Sequence, residues 1–157
     1  MSLTPAEMDE FMDRHFAAEM NDDVDGVLAT LSPDAVHDIV GAPDGPTVGH
    51  LRTRPTYEQV FADLAGERVE TLHRYYGTNC LTDESLWIGR AVGDPLGLPG
   101  ANRPLRFRIL HVMEFDDTGK ITRENVWLDH PSITAQLTDH SAGTDAIERH
   151  QQEGTSR

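Results

Sequence analysis

The residue best placed for proton chemistry in this chain is the histidine of Leu110-His111-Val112, because an imidazole can take up or give away a proton near neutral pH. Asp116-Asp117-Thr118-Gly119-Lys120 reads as the turn of a β-hairpin, which suggests a register: with Phe115 opposite Ile121, Met113 faces Arg123, His111 faces Asn125 and Ile109 faces Trp127. Strand side chains alternate between faces, so this register puts Phe107, Ile109, His111, Met113, Asn125, Trp127 and Asp129 together. A bulge of one residue would invert one of the two strands. Taken alone, a histidine in such a setting is more often a satisfied core residue. The company of Asn125 and Asp129 amid aromatic and aliphatic carbon is what suggests a ligand site. Asp129, just ahead of His130-Pro131, has a competing reading as the cap of a last helix.

These residues need a scaffold, and hydrophobic spacing supplies its outline. From Thr4 to Asn21, Met8, Phe11, Met12, His15 and Ala18 recur every three or four residues, predicting an amphipathic helix with His15 on its buried side. A second helix follows from Asp23, carrying Val24, Val27, Leu28 and Leu31, and Ser32-Pro33 ends it. Ala35 to Val40 reads as a strand running into a glycine- and proline-rich loop. Pro55 opens a third helix with Tyr57, Val60, Phe61 and Leu64 on one stripe, and Gly66 stops it. The period then changes to two, predicting strands near 69–81, 85–92, 105–115 and 121–128. The loop from Gly93 to Pro104 is long enough to rim a pocket, and Pro131 starts a final helical turn through Leu137. Helices first and strands afterwards is the order of an α+β fold. Tyr57, His73 and Tyr75 are expected as lining residues at most, since aromatic stripes usually belong to a core.

Composition narrows the function classes. The chain has 157 residues, the size of one domain, and a formal charge of −14, which repels phosphate backbones and anionic membrane surfaces. Neither nucleic acid nor a membrane is expected as a partner. Arg103, Arg106 and Arg108 form the densest basic group and read as an edge or contact feature more readily than as an anion site. Cys80 is the only cysteine, so neither an internal disulfide nor a cysteine-based metal site can form, which fits a cytoplasmic protein. No apolar run is long enough to span a membrane, and no signal-peptide pattern opens the chain. Nucleophile-elbow serines, phosphate-binding glycine loops and histidines paired at metal-ligand spacing are all missing from the sequence, so a site without cofactor or metal is expected.

Several segments resemble a known family. Arg14-His15-Phe16-Ala17-Ala18 followed by Asp23-Val24-Asp25-Gly26-Val27 resembles the first helices of ketosteroid isomerase and its SnoaL-like polyketide cyclase relatives, within the nuclear-transport-factor-2-like (NTF2-like) superfamily. Val36-His37-Asp38-Ile39-Val40-Gly41, Phe115 through Gly119-Lys120-Ile121, and Trp127-Leu128-Asp129 leading to Gln136-Leu137 extend the likeness over nearly the whole chain. The last of these and the Gly97-Leu98-Pro99-Gly100 loop lean toward the SnoaL-like branch.

The resemblance implies a cone: three N-terminal helices packed on a curved antiparallel sheet, with a short C-terminal helix, in one domain over residues 1–140. The polar tail at 141–157 is expected to be disordered. It also implies a cofactor-independent isomerase or cyclase that enolises a hydrophobic carbonyl compound of polyketide or steroid type. Asp38 then stands where the isomerase has its general base, His111 where it has an oxyanion-stabilising acid, and His15 where it has an oxyanion-stabilising tyrosine. On its own, Asp38 beside His37 reads equally as a turn-capping surface residue. SnoaL-like cyclases use an acid/base aspartate on the last strand. The register above puts Val126 there, with Asp129 three residues on. Two other functions stay open: a non-catalytic module binding an apolar ligand, and an epoxide hydrolase, which needs Arg90 or Arg108 beside Asp129 or Asp38 around a water. The opposite sheet face, with Leu110, Val112, Val126 and Leu128, is expected to form a homodimer contact.

Overall fold

Thr4 starts the first helix with a reciprocal cap: its hydroxyl accepts from the Glu7 amide at 3.3 Å while the Glu7 carboxylate accepts from the Thr4 amide at 2.8 Å. In the computed structural model, which describes residues 2–138, this helix is α1 (Pro5–Met20). Asp23 caps α2 (Val24–Thr30) by accepting from the Gly26 amide at 2.9 Å. The strand expected at Ala35 begins earlier, so that β1 (Leu31–Ile39) follows α2 without a loop. A two-residue strand, β2 (Thr47–Val48), precedes α3 (His50–Asp63).

Pro55 does not open α3 but lies inside it. The carbonyl it leaves without an amide belongs to Leu51, whose residue is 88% exposed, so water can serve it. The long strands are β3 (Leu64–Gly77), β4 (Cys80–Ala91), β5 (Arg103–Phe115) and β6 (Ile121–Leu128), and α4 (His130–Thr138) closes the described chain. The first of these strands ends sooner than its hydrophobic run suggests. Thr78-Asn79 makes a tight hairpin there, with Asn79 in the left-handed region at φ 50°. The tail at 141–157 lies outside the described residues.

Among the described residues, six strands form one curved, unclosed sheet in the order β2-β1-β6-β5-β4-β3. Every pairing is antiparallel except that of β1 with β6, which is parallel, so the sheet is mixed where a purely antiparallel one was expected. The α+β architecture and the NTF2-like cone are as the resemblance implied.

The largest correction concerns β6. Phe115 pairs with Ile121 as the turn requires, but Glu114 pairs with Arg123, so Thr122 is an extra residue. The bulge is held chemically: the Thr122 hydroxyl donates to the Glu114 carbonyl at 3.2 Å. From there the face of β6 is inverted. Met113 pairs with Glu124 and His111 with Val126, so Glu124, Val126 and Leu128 point inward while Asn125 and Trp127 point out. The outer face therefore carries Leu110, Val112 and Trp127 in place of the expected Val126 and Leu128.

Met8, Met12 and Phe16 of α1 pack on Leu81, Met113, Phe115 and Ile121 of the sheet, and this core holds Met113 at 0% exposure. Arg74 fastens the same helix to the sheet edge. Its guanidinium donates to Asp9 and Asp13 of α1 at 2.8 Å each and to the fully buried Asp83 of β4 at 2.7 Å. At the hairpin turn, Gly119 has φ 84°, and the Phe11 ring occupies the space that a Cβ would need, at 2.2 Å. No helix among the described residues is long and apolar enough to cross a membrane.

Candidate functional site

Parity on two strands builds the site. His37 on β1 is the register partner of Glu124 on β6, and Ile39 is the partner of Val126, so all four face the helices. Asp38 pairs with Asn125 on the other face. A cavity of about 100 Å³ lies between this inner face and helices α1 and α3. Phe16, Phe61, Trp87, Phe107, Ile109 and Leu128 supply much of its carbon wall. Its polar lining includes Glu19, His37, Tyr57, His111 and Glu124.

With the buried His15 of α1, the groups Glu19, His37, Tyr57 and Glu124 form a charged network. Glu124 is 1% exposed, and its Oε2 accepts from the Tyr57 hydroxyl at 2.5 Å. Its other oxygen, Oε1, has no hydrogen-bond partner and stands 3.4 Å from Nε2 of the fully buried His15. The same Nε2 is 3.4 Å from Oε1 of Glu19, and His37 Nε2 is 3.9 Å from Glu124 Oε2.

The protonation of His15 follows from its far side. The Thr30 hydroxyl donates to the Val27 carbonyl at 2.6 Å, so it must accept from His15 Nδ1, 2.7 Å away. A neutral ring would then aim the Nε2 lone pair at two carboxylates, whereas an imidazolium is attracted to both. Burial alone would lower the affinity of His15 for its second proton. The charges of Glu124 and Glu19 outweigh burial and raise its pKa from 6.5 to about 10. Burial would likewise push the Glu124 carboxyl up, but the positive charge of His15 holds it well below the usual carboxylate range. Burial and then the Glu124 charge push the Tyr57 phenol well above its ordinary value.

His111 is different. Its ring sits 5.0 Å from that of Phe16, its Nδ1 is buried without a hydrogen-bond partner, and burial lowers its pKa so that the ring is neutral at physiological pH. The site therefore holds an ionised carboxylate, its imidazolium counter-ion and a separate neutral imidazole. His15, Glu19 and Glu124 also bring three ligand-type atoms within 4.8 Å of one another, the spacing of a small metal site. An imidazolium at His15 offsets one of the two carboxylate charges there.

Several sequence expectations are met in position and others are not. His111, Phe107, Ile109 and Tyr57 line the cavity, and His15 lies directly behind it. Asp38 and Asn125 face outward because alternation on paired strands gives the interior to His37 and Glu124. Trp127 is 39% exposed for the same reason, and Met113 is consumed by the core. His73 and Tyr75 lie exposed on the sheet-edge strand β3. Asp129 does what its capping reading implies, accepting from the Ser132 amide at 3.2 Å at the start of α4, and it does not line the cavity.

The arginines considered for an Asp-Arg-Asp set point elsewhere. Arg90 donates to Asn102, and Arg108 pairs with Glu84 at the surface. An arginine flanked by aspartates does exist, but Arg74 with Asp9, Asp13 and Asp83 lies outside the cavity. Sequence reasoning missed Glu124, Glu19 and His37. The one signal for Glu124 was that Val126 and Leu128 make a more apolar pair than Asn125 and Trp127, which favours the phase that also brings residue 124 inside.

The family model of the SnoaL-like domain matches residues 12–124. The chain belongs to the SnoaL-like family. Its bounds run from α1 to β6 and take in both His15 and Glu124. Solved structures with the same fold include TsrD from Streptomyces laurentii, 18% identical with a TM-score of 0.73 over 87% of this chain and 98% of that one. A candidate SnoaL-like polyketide cyclase from Jannaschia sp. CCS1 is 13% identical, with a TM-score of 0.75 over 88% and 97%. An LEH-like epoxide hydrolase from M. tuberculosis is 21% identical, with a TM-score of 0.66 over 92% and 97%. None of the curated proteins matches the sequence. At these identities the likeness establishes the fold of this SnoaL-like domain, and the chemistry rests on its own cavity.

Proposed function

We propose that this SnoaL-like domain is a cofactor-independent isomerase or cyclase that enolises a hydrophobic, carbonyl-bearing small molecule in the inner cavity. Glu124 takes the proton-accepting role that the resemblance implied for Asp38, and His111 donates a hydrogen bond to the enolate oxygen. The observation that carries this reading is Glu124 itself: an ionised carboxylate in the wall of a largely carbon-lined cavity, with one oxygen held by Tyr57 and the other without a hydrogen-bond partner. The resemblance puts the last-strand aspartate of SnoaL-like cyclases at Val126, and Glu124 is the inward carboxylate two residues before that position.

The chemistry balances without a further reagent. The C–H bond next to the carbonyl breaks, its electron pair moves onto the carbonyl oxygen, and the proton passes to Glu124. His111, neutral because it is buried, gives an N–H hydrogen bond to the oxygen as negative charge develops there. Glu124 then returns the proton at another carbon, which is isomerisation. Alternatively, the enolate carbon attacks a second carbonyl of the same molecule and the new alkoxide takes the proton, which is cyclisation. A carboxylate stabilised by His15 and Tyr57 is a weak base, so the substrate must have a doubly activated C–H, flanked by a carbonyl and either a second carbonyl or an alkene.

The test uses 3-cyclohexen-1-one, whose isomerisation to the conjugated enone is followed by ultraviolet absorbance. The protein is expected to accelerate it, Glu124→Gln to lower the rate at least about a hundredfold, and His111→Phe at least about tenfold. A folded Glu124→Gln protein that retains the wild-type rate overturns the assignment. Binding of the ketone with no acceleration by the wild type favours the non-catalytic ligand-binding module.

A further inference from the structure

His15 and Glu19 stand four residues apart on α1 and so share one face of the helix, and β6 brings Glu124 against that face. The sequence holds no two histidines at ligand spacing; the pair on α1 is a histidine with a glutamate. Two atoms of this cluster lack partners. His15 Nε2 and Glu124 Oε1 are both buried, on side chains 0% and 1% exposed, and neither has a hydrogen-bond partner. They face each other at 3.4 Å, and Glu19 Oε1 stands at the same 3.4 Å from that nitrogen. An imidazolium hydrogen-bonded to either carboxylate would approach it to about 2.7–2.9 Å. A small four-coordinate ion fits the wider spacing, since tetrahedral bonds of about 2.0–2.1 Å set neighbouring ligand atoms about 3.3–3.4 Å apart. Octahedral magnesium would draw them to about 2.9 Å, and calcium takes at least about six oxygen ligands.

The surroundings are also those of a ligand set. Thr30 accepts from Nδ1 at 2.7 Å, which fixes the proton of a neutral His15 ring on that nitrogen and turns the Nε2 lone pair toward both carboxylates. Tyr57 holds one oxygen of Glu124 at 2.5 Å and leaves the other free to ligate. The Glu19 side chain is 23% exposed and lines the inner cavity, so an ion can reach the site from solvent. It is also the ligand with room to close up, the three ligand atoms lying within 4.8 Å of one another. Charge points the same way: an imidazolium leaves one carboxylate uncompensated, whereas a doubly charged ion beside a neutral His15 compensates both.

We propose that His15, Glu19 and Glu124 form a site for one divalent ion of the zinc type. The ion replaces the second proton of His15, which leaves to solvent, and its fourth position faces the inner cavity. Once bound, it takes the Glu124 oxygen that would accept a proton from substrate, so the metal holds the enzyme off. This last consequence rests on Glu124 being the base; the metal site itself does not.

The test uses the full chain, stripped of metal with a chelator and returned to chelator-free buffer. Cobalt(II), a coloured stand-in for zinc, is expected to give at one equivalent the intense visible absorption of a four-coordinate ion, which zinc then bleaches. Zinc dissociation constants are measured by competition with a chromogenic chelator. Glu19→Gln, at the most exposed ligand, is expected to weaken zinc binding at least about thirtyfold, and Thr30→Val, which removes the acceptor for Nδ1, at least about tenfold. His73→Ala, at an exposed histidine of β3, is expected to leave it unchanged. Circular dichroism and thermal melting establish that the variants are folded. A pale, six-coordinate cobalt spectrum, or a zinc affinity unmoved by Glu19→Gln, overturns the site. In the ketone assay, zinc is expected to stop wild-type turnover with a midpoint at its dissociation constant, and Glu19→Gln to raise that midpoint at least about thirtyfold. Turnover that zinc leaves unchanged or accelerates overturns the block on Glu124, while the site stands. If the metal-free protein does not isomerise the ketone, the enzymatic reading and the block fall together, and the cobalt and zinc titrations decide the site alone.

Discussion

Replacing Glu124 by glutamine tests the electrostatic account of the site without any ligand. In the folded protein His15 keeps its second proton up to about pH 10, against 6.5 for an unperturbed imidazole. A raised folded-state pKa contributes stability that is fully present below 6.5 and is lost as pH rises through 10. A tenfold gain in proton affinity on folding is worth about 1.4 kcal/mol, so the wild type loses about 3–4 kcal/mol from this group between pH 7 and pH 10.

In Glu124→Gln the larger of the two charges holding that proton is gone and only Glu19 remains. At pH 7 the variant is expected to be about 3–5 kcal/mol less stable than the wild type, the usual cost of breaking a buried pair. By pH 10 the gap should narrow to about 1–2 kcal/mol, because the neutral His15 ring can then accept from the glutamine amide. Urea unfolding followed by tryptophan fluorescence at pH 7, 8, 9 and 10 reads this directly. Taking the difference between the two proteins removes groups that titrate alike in both. Two stability curves that stay parallel across that range would refute the charged triad and, with it, the ionised state assigned to Glu124.

Two further outcomes follow from the fold. Arg74→Met strands the buried Asp83 carboxylate and should cost at least about 3 kcal/mol in urea unfolding, part of which is recovered when Asp83→Leu is added. Asp129→Ala should cost about 1 kcal/mol through the lost cap of α4, with no change in the rate of ketone isomerisation.

The fold was far more legible than the site. Period-3.6 and period-2 spacing located the four helices and the long strands, because those patterns report burial summed over many residues and tolerate local error. Site residues depend on parity, which one residue reverses. The Asp116–Lys120 turn is where the sequence places it and still points to the wrong face of β6, since the Thr122 bulge lies just beyond it and is stabilised by a side-chain contact that spacing does not encode. That single slip exchanged Asn125 and Trp127 for Glu124 and Val126.

Asp38 failed differently. Its sequence position matched a family role, but the parallel partner strand gave the interior to His37. His111 survived because its own strand kept the expected alternation. The charged network was beyond reach in principle: it joins His15 and Glu19 of α1, Tyr57 of α3 and Glu124 of β6, and only the finished tertiary structure brings them within a few ångströms.

The parallel pairing of β1 with β6 has a consequence for how the protein comes into being. The hairpins β3–β4, β4–β5 and β5–β6 join neighbours along the chain, whereas the first long strand must wait for the last one before its ladder exists. Closing so long a loop is entropically costly and slow relative to the local hairpins. On the ribosome, the amino-terminal third therefore emerges without its mate, and the imidazole of His15 stays wet until the segment bearing its counter-charge has been made. The inner cavity and its charged network are thus the last features that the newborn polypeptide acquires.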